Sequence, residues 1–252
     1  ADLGYVFADQ TGSNPDYQWG DEYLTAGVEL KAVDRDNNDN FWGIAWDTFH
    51  TTAILAISGS HNGNDSRGWR YQKVNENNLA GNRGIDLCVD REASVPHIVY
   101  VDLLGNAYRV MHVTSGSNGV LGLTQTLLFS SEVVEPHKPQ IALNPVTKNP
   151  HVIFSDNSGS FHHITLTSDG VTEEIVPETS NLLELGHGKQ IAFDKSGTLF
   201  LVGHSEIYNG LTFIDNDVAL FRSSSLTGWS RELIPTDDYH TTAMVEVDQN
   251  DN

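Results

Sequence analysis

Residues 96–113 read PHIVYVDLLGNAYRVMHV, and residues 150–167 read PHVIFSDNSGSFHHITLT. Each is an apolar, β-branched run closing on Asp, then a Gly/Asn/Ser turn, then a second run, which is the pattern of a β-hairpin. Before each hairpin stands another apolar strand ending in Asp or Asn, IDLCVD at 85–90 and PQIALN at 139–144. The same strand recurs as VELKAVD (28–34), KQIAFD (189–194) and AMVEVD (243–248). Fourth strands close the units as GWRYQKV, LTQTLL, VTEEIV and GWSRELI. Four short strands thus repeat about every fifty residues, the layout of a β-propeller blade. No long segment carries a capped 3.6-residue apolar period, so few helices are expected.

The expected fold is all-β, a single domain over residues 1–252 in the form of a five-bladed β-propeller. Its last blade is closed by the N- and C-terminal strands: LGYVFAD (3–9) matches a second strand, and 243–248 supplies the innermost one. Pairing the ends removes open sheet edges. Only residues 12–26 separate that second strand from the next inner strand. The closing blade therefore lacks a strand, or the chain is a piece of a longer propeller. A two-sheet sandwich explains the strands but not the period.

Fourteen basic and 34 acidic residues give a formal charge of −20. Such a surface repels polyanions, so nucleic acid and anionic membrane surfaces are not expected partners. No apolar run reaches the roughly 18 residues a membrane helix needs. Cys88 is the single cysteine, within an apolar strand, and reads as a buried inert thiol. The start Ala1-Asp2, without Met, fits a processed product, so a secreted or periplasmic location is expected.

The two hairpin units resemble the repeats of the sialidase-like (BNR-type) propeller group. SRGWRYQKV and LTGWSRELI are similar to the end of that group's Asp-box turn, without its full Ser-x-Asp-x-Gly-x-Thr-Trp form. The resemblance covers residues 41 to 234 and implies architecture more than chemistry. The group holds sialidases, polysaccharide lyases of the ulvan type and lectin-like binders, and fold alone does not choose among them.

In a propeller, loops from second to third strands and from blade to blade emerge on one face. The former open with Asp9, Asp47, Asp102, Asp156 and His204. The latter carry Tyr23, Asn82-Arg83, His137-Lys138, His187-Gly188-Lys189 and Tyr239-His240. Asp9, Asp47, Asp102 and Asp156 occupy one equivalent position and read as turn caps, while His204 departs from that pattern. Asp34, Asp90, Asn144, Asp194 and Asp248 mark hairpins on the opposite face, where His97 and His151 also read as structural. His137, His187 and His240 enter three consecutive blades with Arg83, Lys138 and Lys189 nearby, a cationic, titratable cluster on an acidic protein. The same histidines would equally serve as hydrogen-bond links between blades.

Three chemistries suit such a cluster. The ulvan lyases, which the repeat resembles, use His, Tyr and Arg on a propeller face. Here Arg83, Lys138 or Lys189 would neutralise a uronate carboxylate, with Asp47 and His50 at the substrate. His137, His187, His240 or His204 would take the C5 proton, and Tyr239 or Tyr208 would protonate the leaving oxygen. A sialidase needs three arginines, and only Arg83 lies on that face. A glycosidase would pair carboxylates among Asp47, Asp102, Asp156 and Glu206. His137, His187 and His240 also suit a three-histidine transition-metal site. Asp34-Arg-Asp36-Asn-Asn38-Asp-Asn40 has calcium-loop oxygen spacing, but lacks Gly at the sixth place and Glu at the twelfth. No cofactor is certain. The expected partner is a poly- or oligosaccharide, and the main rival to catalysis is a glycan-binding, lectin-like propeller.

Overall fold

The computed structural model describes residues 28–47, 52–57, 70–81, 84–115, 123–177, 189–209, 212–224 and 228–234, with Val245 and Val247. They form sixteen strands and, among the described residues, no helix. The first sheet holds β1 (Val28–Arg35), β2 (Phe41–Asp47), β3 (Thr52–Ile57) and β4 (Arg70–Lys73). The second holds β5 (Ile85–Asp90), β6 (Val95–Leu104), β7 (Ala107–Thr114) and β8 (Thr124–Ser131). The third holds β9 (His137–Leu143), β10 (Pro150–Ser155), β11 (Phe161–Thr167) and β12 (Gly170–Ile175). The fourth holds β13 (Ile191–Phe193), β14 (Leu199–Asn209), β15 (Thr212–Ser224) and β16 (Gly228–Ile234). Each sheet runs in chain order, the four-stranded meander of a propeller blade. The chain divides into two compact units, Ala1–Phe129 and Ser130–Asn252.

In the first unit, Trp42, Ile44 and Ala53 of one sheet cluster with Leu87, Ile98, Tyr100 and Val113 of the next. Trp42, Ile44, Ile98 and Tyr100 are all but inaccessible to water. Burying each such side chain contributes on the order of 1.5–3 kcal/mol. A polar seam sets the register beside this core. The Asp34 carboxylate accepts from Val89 N at 2.9 Å and from Arg91 Nη2 at 3.1 Å. Asp34 thus lies within β1 and ties the two sheets. The hairpin itself is capped two residues later, where Asp36 Oδ1 accepts from Asn38 N and Asn40 N. The other expected markers on this end do cap their turns: Asp90, Asn144 and Asp194 each accept from a backbone N–H two to four residues on.

In the second unit, Ala142, Ile153, Phe161 and Val176 of the third sheet pack with Ile191, Leu199, Leu201, Ala219 and Phe221 of the fourth. Gln140 and Gln190, both buried, clasp across the same junction. Gln190 N donates to Gln140 Oε1 at 2.6 Å, and Gln140 Nε2 donates to Gln190 Oε1 at 3.3 Å. At the solvent side, β12 is exposed at every residue and forms the edge of its sheet.

Two hairpins run further than the sequence reading placed them. β6 continues through Asp102 to Leu104, so Asp102 is not a turn cap. Its fully buried carboxylate instead takes Arg109 in a two-point grip, Nε at 2.8 Å and Nη2 at 2.6 Å. The β14–β15 ladder extends to the pair Asn209↔Thr212. That carries His204 and Tyr208 within a strand, opposite Val218 and Phe213, rather than in a loop.

Candidate functional site

The candidate end of each sheet is the one where first strands begin and second strands finish. In the third sheet, His137 opens β9 and pairs with Ser155, the last residue of β10. The register then slips, from Ser155↔His137 to Ile153↔Gln140, so Lys138 and Pro139 together face one residue of β10. This is a β-bulge, a device that re-aims a side chain and commonly borders functional sites. Pro139 suits a bulge because it has no N–H to give to a ladder. Lys138 adopts φ 45°, a left-handed conformation that side chains other than glycine seldom take.

Lys189 enters the fourth sheet next to this bulge. Its Nζ donates to the carbonyl of Ile141 in β9, and its own carbonyl accepts from Val245 N at 3.0 Å. Three parts of the second unit therefore meet at Lys189: Ile141 of β9, the lead into β13, and Val245. The expected fifth inner strand, 243–248, is represented by Val245 and Val247 among the described residues.

Beside His137, the turn after β10 is built on Asp156. Oδ1 accepts from Ser158 N at 2.8 Å, Ser158 Oγ at 2.7 Å and Ser160 N at 2.9 Å. Asp156 is thus a turn cap, as its recurrence suggested. Burial alone would raise its carboxyl, but the bonds from Ser158, His162 and Ser160 outweigh that and hold it below the usual range. The sequence reading passed over His162, which stands between two acids, Nε2 at 3.1 Å from Asp156 Oδ2 and Nδ1 at 2.7 Å from Glu173 Oε1. Phe154 stacks on its face at 4.5 Å. The Phe161-His162-His163 run placed it only as one histidine of a strand.

Toward the opposite ends of the sheets lie two histidine pairs. His97 Nδ1 is 3.0 Å from His112 Nε2, and His151 Nδ1 is 2.8 Å from His163 Nε2. In each pair the rings stack, tilted by 18°. Burial pushes His97 down to about 4, against the pull of Asp90. Burial, aided by the neighbouring ring, pushes His112 and His151 down to about 3. His97 and His151 thus have the structural place expected of them, and their partners are the residues the sequence did not pair.

Asp47 ends β2, opposite Val28 and Thr52. His50, Arg83, His187, Tyr239 and His240 lie outside the described residues. Among the described residues no group of three His, Cys, Asp or Glu side chains converges to hold a metal ion. Residues 34–40 do not fit calcium. Asp36 Oδ2 is held by Asn40 Nδ2 at 2.8 Å and Trp42 Nε1 at 3.2 Å, its Oδ1 caps the turn, and Asp34 points to the second sheet. Cys88 is buried and forms no disulfide. Among the described residues no helix is long and apolar enough to cross a membrane.

No family model matches the chain, and no curated protein matches it. Among solved structures, AofleA from Arthrobotrys oligospora aligns at 10% identity and TM-score 0.54, over 87% of this chain and 61% of its own. An exo-β-1,3-galactanase from Phanerochaete chrysosporium aligns at 16% identity and TM-score 0.46, over 81% of this chain and 49% of its own. A xyloglucan-locus GH43B protein of Bacteroides ovatus aligns at 14% identity and TM-score 0.33, over 83% of this chain and 41% of its own. The chain thus spans about half to three fifths of the length of the first two. The likeness to AofleA is one of fold.

Proposed function

We propose that the chain is a carbohydrate-active, five-bladed propeller of the cell exterior that cleaves acidic polysaccharide by β-elimination at the end where His137, Lys138 and Lys189 stand. The observation that supports this reading is the meeting of Ile141 of β9 and Val245 at Lys189. The reading assigns to the same end the connections that precede these strands in the sequence and carry His187 and His240. The bulge at Lys138 supports the same reading, because left-handed backbone at a non-glycine residue costs energy and is kept where a side chain must be aimed.

In the proposed reaction Lys138, Lys189 or Arg83 neutralises the uronate carboxylate, which acidifies the C5 hydrogen. A neutral histidine among His137, His187, His240 and His204 removes that proton. The electron pair forms the C4–C5 double bond as the C4–O bond breaks, and Tyr239 or Tyr208 protonates the departing oxygen. Asp47 and His50 would contact the sugar.

Incubation with a panel of uronate polysaccharides tests this, read by the ultraviolet absorbance of the unsaturated product. Single alanine variants of His137, His187 and His240 should abolish the signal in at least one case. Full turnover in all three overturns the site. Glycan binding without any unsaturated product makes the chain a lectin-like propeller instead.

A further inference from the structure

Four side chains make a continuous polar line across the junction of the third and fourth sheets. His151 Nδ1 lies 2.8 Å from His163 Nε2, and His163 Nδ1 lies 2.7 Å from Glu174 Oε1. Trp229 Nε1, from the fourth sheet, donates to the same oxygen at 2.9 Å. Phe193 and Trp229 close over the rings, Phe193 edge-on to His151 at 4.9 Å and Trp229 edge-on to His163 at 5.4 Å.

Hydrogen-bond arithmetic fixes the polarity of this line. A carboxylate only accepts, so His163 Nδ1 carries the hydrogen that Glu174 receives. Nε2 of the neutral ring is then a bare acceptor, and His151 must give it an Nδ1–H. Thr165 Oγ1, 3.3 Å from His151 Nδ1, is a second acceptor for that hydrogen. Protonating both rings places two N–H donors nose to nose at the His151–His163 contact, which the stacked geometry cannot hold. The rings must part, and His151, which packs edge-on against Phe193 of the fourth sheet, is the one displaced, because charged His163 is held the more tightly by Glu174.

Few other charges bear on the pair. From β11 and β12 come His163 and Glu174, while β13 and β16 present Phe193 and Trp229. His162, Glu173 and Asp156 form their own set on the opposite face, because successive strand residues point to opposite sides. Burial lowers both histidines, with Glu174 pulling the other way.

We propose that His151, His163, Glu174 and Trp229 form an acid-released clasp between the third and fourth sheets. Neutral rings hold Glu174 in place to receive Trp229, and double protonation lets the junction open. Imidazole nitrogen shifts of 15N-labelled protein, followed from about pH 8 to about pH 2, past the value near 3 to which His151 is pushed, test it. Both rings should be Nδ1–H tautomers at neutral pH. They should take up protons together, in step with a shift of the Trp229 indole N–H. Between about pH 7 and pH 5 the folding equilibrium should fall about 25-fold through His151 alone, and His163, also held down by burial, should add to that fall. His163→Gln keeps an N–H for Glu174 but cannot charge, so the Trp229 signal should lose its acid response. A ring that titrates alone near its ordinary value, or an unchanged acid response in H163Q, overturns the clasp. Should that variant not fold, Trp229→Phe decides. It should speed amide exchange across β12 and β16 at neutral pH, and unchanged exchange counts against the clasp.

Discussion

Nδ1 of His112 is buried without a hydrogen-bond partner, whereas Nδ1 of His163, its counterpart one sheet later, meets Glu174 at 2.7 Å. The equivalence is one of register, since His97 and Val99 relate to His112 as His151 and Ile153 relate to His163. β8, reading TQTLLFSS, offers no carboxylate where β12 offers two. A buried N–H without an acceptor is a full desolvation loss, so the hydrogen belongs on the other nitrogen. His112 Nε2–H should donate to His97 Nδ1, opposite in direction to the second pair. Tautomer-sensitive nitrogen shifts should show His112 as Nε2–H and His163 as Nδ1–H.

The pair in the second sheet also sets a pH dependence. Unfolded histidine titrates near 6.5, so above that value both states are neutral and stability is flat. As pH falls from about 6.5 toward 4, the unfolded chain binds protons that folded His97 and His112 refuse. Stability therefore drops by about 1.4 kcal/mol per pH unit for each histidine. Urea unfolding at a series of pH values should give that slope, and His112→Leu should lower it by one proton.

Asp102 and Arg109 are a buried ion pair in which either partner alone is costly. Asp102→Ala leaves the guanidinium in a half-dry site and should destabilise by about 3–5 kcal/mol. Adding Arg109→Met to that variant should restore part of the loss. Urea midpoints across the double-mutant cycle measure the coupling.

Gly197 has φ +87°, and a Cβ there would stand 3.1 Å from Asn144 Oδ1. Asn144 is occupied in capping its own turn, accepting from Val146 N at 2.9 Å. Gly197→Ala therefore meets both an unfavourable backbone and a side chain that is not free to yield. A loss of about 1–2 kcal/mol in thermal or urea unfolding is expected.

Lys138→Gly separates strain from use. Glycine tolerates φ 45° at no steric cost, so stability should hold or rise by up to about 1 kcal/mol. Elimination from uronate polysaccharide should fall steeply, because the re-aimed ammonium is gone. Lys138→Ala, which keeps a Cβ at that φ, should lose the elimination without the gain in stability.

The blade units were legible because their cues are local. Apolar runs of the right length, closed by Asp or Asn and a Gly-rich turn, fixed the first and second strands almost to the residue in PQIALN and PHVIFSD. Hairpin length was less visible. Asp102 and Asp156 follow similar runs, yet β6 passes through its aspartate while β10 stops before the other. What differs is Arg109 across the ladder, a partner that one strand cannot announce to another. The histidine pairs were hidden for the same reason. His97 and His112 are fifteen residues apart and His151 and His163 twelve, so no fixed spacing marks them. The bulge at Lys138 was hinted at only by Pro139, a residue that reads equally as a strand start.

β12 faces solvent at all six positions and still sends Glu173 and Glu174 back to His162 and His163. An open ladder flank with two adjacent negative charges repels a second such flank, so these carboxylates also discourage chains from zipping together. Acid that parts the histidine pair would leave this guard in place, because Glu174 is held below the usual carboxylate range. Neutral replacement of both, Glu173→Gln with Glu174→Gln, should accordingly promote self-association at this flank.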